Sequence, residues 1–214
     1  IRTLATWNPG TLSGQFKEAM DWVRERQVDV LCVQEHRVSL WGEREKAEKL
    51  ADEAGDRIMW GGQDWARGGD GTTAVRGVAI ITRVKAQHVR KEGMPDPTRV
   101  VAAKVYRGGA RPLLVVCIYA HASDPGARAK LIYETMHWVV GEGEDSIIMG
   151  DWNEEEEGGP NVLPYVACGG VGSADRVDRE NVRKTTKSAV LDYAVYRREV
   201  RIGGRWQERV WGGQ

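Results

Sequence analysis

Short apolar runs recur along this chain, and each meets a polar group. Thr3-Leu4-Ala5-Thr6-Trp7-Asn8 ends in a carboxamide and Val28-Asp29-Val30-Leu31-Cys32-Val33-Gln34-Glu35 in a carboxylate. The run from Leu113 to His121 ends in the phenol of Tyr119 and an imidazole. Ser146-Ile147-Ile148-Met149-Gly150 is followed by Asp151 and Asn153, and the run from Ser188 to Tyr196 carries Asp192 inside it. Runs of this length rich in Val, Ile and Leu predict buried strands. Gly77 to Thr82 and Arg99 to Tyr106 predict two more, with Arg107-Gly108-Gly109-Ala110 as the hairpin turn into the Leu113 strand. Helical spacing appears over Phe16, Ala19, Met20 and Val23. It returns over Glu43 to Ala54, where Ala47, Leu50, Ala51 and Ala54 form an inner face, and over Ala127 to Val140, where Leu131, Met136 and Val139 are apolar. Trp60 to Gly71, dense in glycine, reads as a long mobile loop; it lacks the Gly-Lys-Ser/Thr ending of a phosphate-binding P-loop. Strands interleaved with helices indicate an α/β protein, and the hairpins exclude a purely parallel sheet.

The strand ends carry the candidate chemistry. In an extended segment, side chains at i and i+2 share a face, so Asp151 and Asn153 would converge at one end of their strand. A carboxylate beside a carboxamide suits hydrolysis of a phosphate ester: the first holds or deprotonates water, the second donates hydrogen bonds to a phosphoryl oxygen. The plainer reading is an Asx turn closing the strand. Glu35 is the best metal-ligand candidate, because a carboxylate ending so apolar a strand is costly without a cation or hydrogen bonds. Mg²⁺, or Mn²⁺ in its place, suits such oxygen ligands. Asn8 would assist placement of the metal or the carboxylate. Tyr119 could donate to a phosphoryl oxygen or belong to the core. His121 could help the leaving group or lie at the surface, and His36 reads as a rim residue. Glu154 to Glu157 reads as a solvated loop.

Taken in order, Thr6-Trp7-Asn8, Gln34-Glu35, Ile118-Tyr119, Gly150-Asp151-Trp152-Asn153 and Leu191-Asp192-Tyr193 resemble the motifs of the endonuclease/exonuclease/phosphatase superfamily. That group holds exonuclease III-type apurinic endonucleases, deoxyribonuclease I and the endonuclease domains of non-LTR retrotransposons. The resemblance spans nearly the whole chain. It implies a four-layer sandwich, two facing mixed sheets with helices outside, and a Mg²⁺-dependent phosphodiesterase that nicks DNA. By the same analogy Asp192 would orient a catalytic His. The family's last motif, Ser-Asp-His, should follow one further strand, for which Arg205 to Trp211 is the candidate. All four histidines lie upstream of Asp192, so the chain is expected to stop short of that motif and, opening on Ile1, to be one domain cut from a longer polypeptide. Pro9-Gly10 stand where apurinic endonucleases often carry an extra acidic residue. This departure and the compact gap between Asp151 and Asp192 favour a retrotransposon endonuclease, fused in the full-length protein to a reverse transcriptase. Rival readings are a stand-alone apurinic or deoxyribonuclease I-like enzyme, a phosphatase on inositol lipids or a sphingomyelinase, and a degenerate DNA-binding module without catalysis.

Composition narrows the partners. The 214 residues are read as a single domain, and 31 basic against 31 acidic residues leave no net charge. Binding to DNA must therefore come from a local patch. Arg176, Arg179, Arg183, Lys184 and Lys187, with Thr185 and Thr186 among them, precede the Asp192 strand; Arg183, Lys184, Thr186 and Lys187 are the candidate phosphate contacts. Trp65 could stack on DNA or anchor its loop. Three cysteines are too few for a disulfide framework, so a reducing compartment, nuclear or cytosolic, is expected. No apolar run has membrane-spanning length, and no obligate oligomer is expected.

Overall fold

The computed structural model describes residues 1, 3–12, 14–38, 41–62, 65–68, 71–74, 77–154, 172–173 and 192–196. In chain order the elements are β1 (Leu4–Trp7), α1 (Phe16–Glu25), β2 (Val30–Gln34), α2 (Trp41–Glu53), β3 (Arg57–Trp60), β4 (Trp65–Gly68), β5 (Gly71–Ala74), β6 (Val78–Thr82), β7 (Ala86–Val89), β8 (Val100–Val105), β9 (Leu113–Tyr119), α3 (Pro125–Glu142), β10 (Ser146–Asp151), β11 (Gly172–Ser173) and β12 (Asp192–Tyr196). One sheet has the order β1-β2-β6-β3 and the other β11-β12-β10-β9-β8-β7. The pairs β1/β2 and β9/β10 are parallel and the remaining neighbours antiparallel.

Alternation along the strands builds four layers. Val30 and Cys32 of β2 face the other sheet, packing with Val115, Cys117, Ile147 and Met149. Leu31 and Val33 face outward onto Phe16, Ala19, Met20 and Val23 of α1 and Ala47 and Ala51 of α2. On the far side, Leu114, Val116, Ile118 and Ile148 meet Leu131, Ile132, Met136 and Val139 of α3. Strands buried on both faces read as unbroken apolar runs rather than alternating ones. Helix α3 starts where Asp124 accepts from the Ala127 N–H at 2.9 Å, with Pro125 in its first turn. No helix among the described residues is long and apolar enough to cross a membrane.

Two expectations change. The supposed loop over Trp60 to Gly71 contains the end of β3 and then β4, which pairs with β5 in the register Trp65↔Ala74 to Gly68↔Gly71. The β-branched pair Thr72-Thr73 favours strand, and the glycine count obscured it. Glu154 does not belong to a solvated loop either: its side chain is buried, 3.9 Å from the Arg128 Nε. Residues 155–157 lie outside the described residues, as does the strand expected over 205–211.

Candidate active site

Parallel pairing brings the strand ends together. Within each parallel pair the two strands end side by side: β1 beside β2, and β10 beside β9 with Asp151 opposite Tyr119. Antiparallel β12 places Asp192 opposite Asp151. Gly150 makes the second contact possible. Its φ is +150°, and a Cβ there would lie 1.9 Å from the Ile118 carbonyl oxygen, so no other residue lets β10 approach β9 in this way.

At that end Asn8 links the two sheets. Its amide nitrogen donates to Asp151 Oδ2 at 2.9 Å and to Glu35 Oε1 at 3.4 Å, while its Oδ1 accepts from the Gly10 N–H at 3.0 Å. The amide thus faces the carboxylates with its nitrogen and holds them. The Tyr119 phenol is hydrogen-bonded to Glu35; burial, then that bond, hold its pKa well above the ordinary value. Arg37 reaches Glu35 Oε2 at 3.2 Å. Asp151 is buried, which raises its pKa; the Asn153 N–H and the Asn8 amide oppose that rise, and the nearby Glu35 charge adds to it.

Asn153 satisfies both readings of its turn. Its N–H donates to Asp151 Oδ1 at 3.0 Å, an Asx turn, and its φ of +50° takes the chain out of the extended conformation. The i, i+2 argument therefore fails there. The turn instead carries the Asn153 amide to the Ala120 carbonyl at 2.9 Å, leaving its second N–H for another acceptor.

His36 is not at the rim. It is fully buried, its Nδ1 accepts from the Val38 N–H at 3.0 Å, and its ring stands edge-on to Trp60 at 5.0 Å. Gly77 makes room, since a Cβ there would lie 2.3 Å from His36 Nε2. Burial, then the Arg44 charge, lower the imidazole pKa to about 3, a fall that the nearby Val78 backbone opposes. Gln34, beneath Glu35, is also buried and donates to the Thr6 hydroxyl at 3.0 Å and the Cys117 sulfur at 3.1 Å.

The structure thus brings together Asn8, Glu35, Tyr119, Asp151 and Asn153, and aligns the Asp192 backbone with them. His121 contributes its carbonyl, which accepts from Arg128 Nη1 at 3.3 Å. Trp65 lies on β4 with its side chain outside the description, and Arg183, Lys184, Thr186 and Lys187 lie outside the described residues. Sequence reasoning missed Arg37 and Arg99. Only a charged residue two positions after Glu35 hinted at the first, and nothing local marked the second.

The model of the endonuclease/exonuclease/phosphatase family matches residues 5–213. The chain belongs to that family. Solved structures with this fold include the endonuclease domain of TRAS1, a telomere-specific non-LTR retrotransposon, at 14% identity and TM-score 0.66, covering 91% of this chain and 83% of that one. An AP endonuclease from Archaeoglobus fulgidus is similar at 16% identity and TM-score 0.64, covering 93% and 88%. A mannosyl-6-phosphatase from Bacteroides thetaiotaomicron is similar at 14% identity and TM-score 0.65, covering 93% and 86%. No curated protein matches the sequence. As a family member the chain has the fold of hydrolytic phosphodiesterases, phosphatases and nucleases, enzymes that generally use divalent metals.

The donor set suits such a metal. Among the described residues no group of three or more His, Cys, Asp or Glu side chains is arranged to hold a metal ion. Two hard carboxylates, Glu35 and Asp151, are instead held close enough that the charge of one raises the pKa of the other. A divalent cation bound by one or two carboxylates and water relieves that repulsion.

Proposed function

We propose that this chain is a Mg²⁺-dependent phosphodiesterase that nicks DNA, the target-site endonuclease of a non-LTR retrotransposon polyprotein. The observation that carries the catalytic part is the Asn8 amide bridging Glu35 and Asp151 across the two sheets. Glu35 holds the metal, and Asn8 fixes that carboxylate's position. Mg²⁺ at this site supplies positive charge to the phosphoryl oxygens. Asp151 orients or deprotonates the attacking water, aided by a burial that raises its basicity. The second N–H of Asn153 donates to the charge that develops on phosphorus-bound oxygen, while the Tyr119 hydroxyl is spent on Glu35 and steadies that carboxylate. By the family resemblance Asp192, whose backbone is level with Asp151, is the residue that would orient a catalytic histidine.

The choice of DNA rests on sequence: the cluster Arg183, Lys184, Thr186 and Lys187 that precedes Asp192 along the chain, and Trp65 as a stacking residue. The retrotransposon assignment rests on the short Asp151 to Asp192 interval and on Pro9-Gly10 after Asn8. The test is nicking of supercoiled plasmid with Mg²⁺ and with excess EDTA. Open circles are expected only with the metal, and full nicking in EDTA would overturn the reading.

A further inference from the structure

We propose that Arg99 is a positioning residue for the Tyr119 phenol and, through it, for Glu35. Arg99 is only 2% exposed. Its guanidinium lies 5.1 Å from the centre of the Tyr119 ring, and Nη1 donates to the carbonyls of Tyr119 at 3.0 Å and Ala120 at 3.4 Å. The Tyr119 N–H in turn donates to the Arg99 carbonyl at 2.9 Å. Arg99 therefore grips the backbone on both sides of the Tyr119 Cα, with its own carbonyl at the N–H and its side chain at the carbonyls that follow, and its guanidinium covers the ring. The phenol so held donates to Glu35 on the other sheet.

Arg99 is itself anchored. The Asp96 carboxylate accepts from the Thr98 N–H at 2.9 Å and hydroxyl at 2.8 Å, and the Asp96 carbonyl accepts from the N–H groups of Arg99 at 3.0 Å and Val100 at 2.9 Å. Immediately before it, the Pro97 carbonyl accepts from the Gly62 N–H at 2.5 Å, just past β3 of the other sheet. The chain of contacts from Gly62 through Pro97, Arg99 and Tyr119 to Glu35 leaves one sheet, crosses the second and returns. Burying a guanidinium is expensive unless its donors are met. Here Nη1 donates to two successive carbonyls at the end of β9, and the planar guanidinium fixes direction as well as charge. A lysine at this position keeps the charge and loses both the planar group's fixed direction and the stacking.

The kinetic arm of the test rests on the phosphodiesterase reading; the spectroscopic arm does not. Protein labelled with 3-fluorotyrosine carries six tyrosines, and Tyr119→Phe identifies the Tyr119 resonance. In Arg99→Lys that resonance should move and broaden while the other five stay in place. Mg²⁺ affinity by calorimetry should weaken about tenfold or more, in the range seen when a residue supporting a metal ligand is lost. The Arg99→Lys/Tyr119→Phe double variant should bind Mg²⁺ no more weakly than Tyr119→Phe alone, because the two act through one contact. Nicking should fall in kcat with KM unchanged. If Arg99→Lys fails to fold, Gly62→Ala gives a second arm. Its Cβ would lie 3.0 Å from the Pro97 carbonyl carbon, so it shifts the segment that carries Arg99 and should move the same resonance. A lowered melting temperature with the Tyr119 signal unchanged overturns the proposal and makes Arg99 a core residue. Additive effects on Mg²⁺ affinity overturn it as well. Wild-type protein that binds Mg²⁺ without nicking removes the phosphodiesterase reading and leaves the resonance to decide this one.

Discussion

The buried His36 should make the fold acid-labile by an amount the structure sets. Its folded pKa is lowered from the ordinary 6.5 to about 3, chiefly by burial and next by Arg44. The folded state therefore favours the neutral ring, protonated on Nε2 because Nδ1 accepts from Val38. A group depressed in the folded state contributes stability that is complete above its unfolded pKa and is lost as pH falls toward its folded pKa. Here the window runs from 6.5 down to about 3. At about 1.4 kcal/mol per unit the whole loss is about 5 kcal/mol, of which about 3 kcal/mol is gone by pH 4.5. Against a typical stability of roughly 5–15 kcal/mol, that is enough to unfold a marginal domain.

The perturbation is His36→Asn, whose side-chain oxygen can still accept from the Val38 N–H. The smaller side chain leaves a void costing about 1–3 kcal/mol at every pH, but it removes the titration. Urea unfolding followed by the fluorescence of the nine tryptophans, at intervals from pH 7.5 to 4.5, gives both stability curves. Asp56 and Asp151 have raised pKa values through burial, so their contribution runs the other way: present at low pH, lost as pH rises. They are common to both proteins and cancel in the difference. The wild type should lose about 3 kcal/mol more than the variant across that interval, converging on it in acid. Parallel curves would refute the placement of His36 in the core.

Gly150→Ala should abolish the folded state or cost more than about 4 kcal/mol, since a Cβ 1.9 Å from the Ile118 carbonyl oxygen forces the two strands at the centre of the larger sheet apart. Circular dichroism and yield of soluble protein check it, and a stable Gly150→Ala protein would contradict the β9/β10 pairing. Glu35→Gln should reduce nicking by several orders of magnitude and leave the metal-free melting temperature equal or higher, because it removes the charge that opposes Asp151. A large fall in metal-free stability would make Glu35 structural. Replacing Arg183 and Lys184 with Ala should weaken duplex binding alike for all sequences and make its salt dependence shallower. Unchanged affinity and slope in an anisotropy titration would remove those residues from the interface.

What the sequence disclosed follows from how each residue is held. Asn8, Glu35, Tyr119 and Asp151 were legible because a polar head closing an apolar strand is a local signal, and parallel pairing brings such ends together. The double burial of β2, β9 and β10 was legible as unbroken hydrophobic runs. His36 was misread because its burial depends on the missing Cβ of Gly77, just ahead of β6 and remote in sequence. Arg99 looks like an ordinary first residue of a strand; only the tertiary fold turns its guanidinium back along β9. β7 was missed because four residues, Ala86 to Val89, are too few for a period of two to show.

Among the described residues, four with a Cβ have positive φ: Gln27, which closes α1, and three at the site. Glu35, Arg37 and Asn153 all have φ near +50°, a region that residues with a Cβ seldom enter and that costs on the order of 1 kcal/mol or more each. Asn tolerates it; Glu and Arg have no intrinsic reason to adopt it. The conformation persists because other contacts over-determine it. Glu35 is held by Asn8, Tyr119 and Arg37, and the carbonyl of His36, between the two strained residues, accepts from the Leu12 N–H at 2.8 Å. The strain has a geometric result: it turns Glu35 toward Asp151 and His36 into the core, a reversal that an extended strand end cannot make. A carboxylate directed by strain toward a second carboxylate opposes stability at both the backbone and the charge. Such a pair is worth keeping where a cation is to be bound between them, and that ties the local backbone to the chemistry proposed for this site.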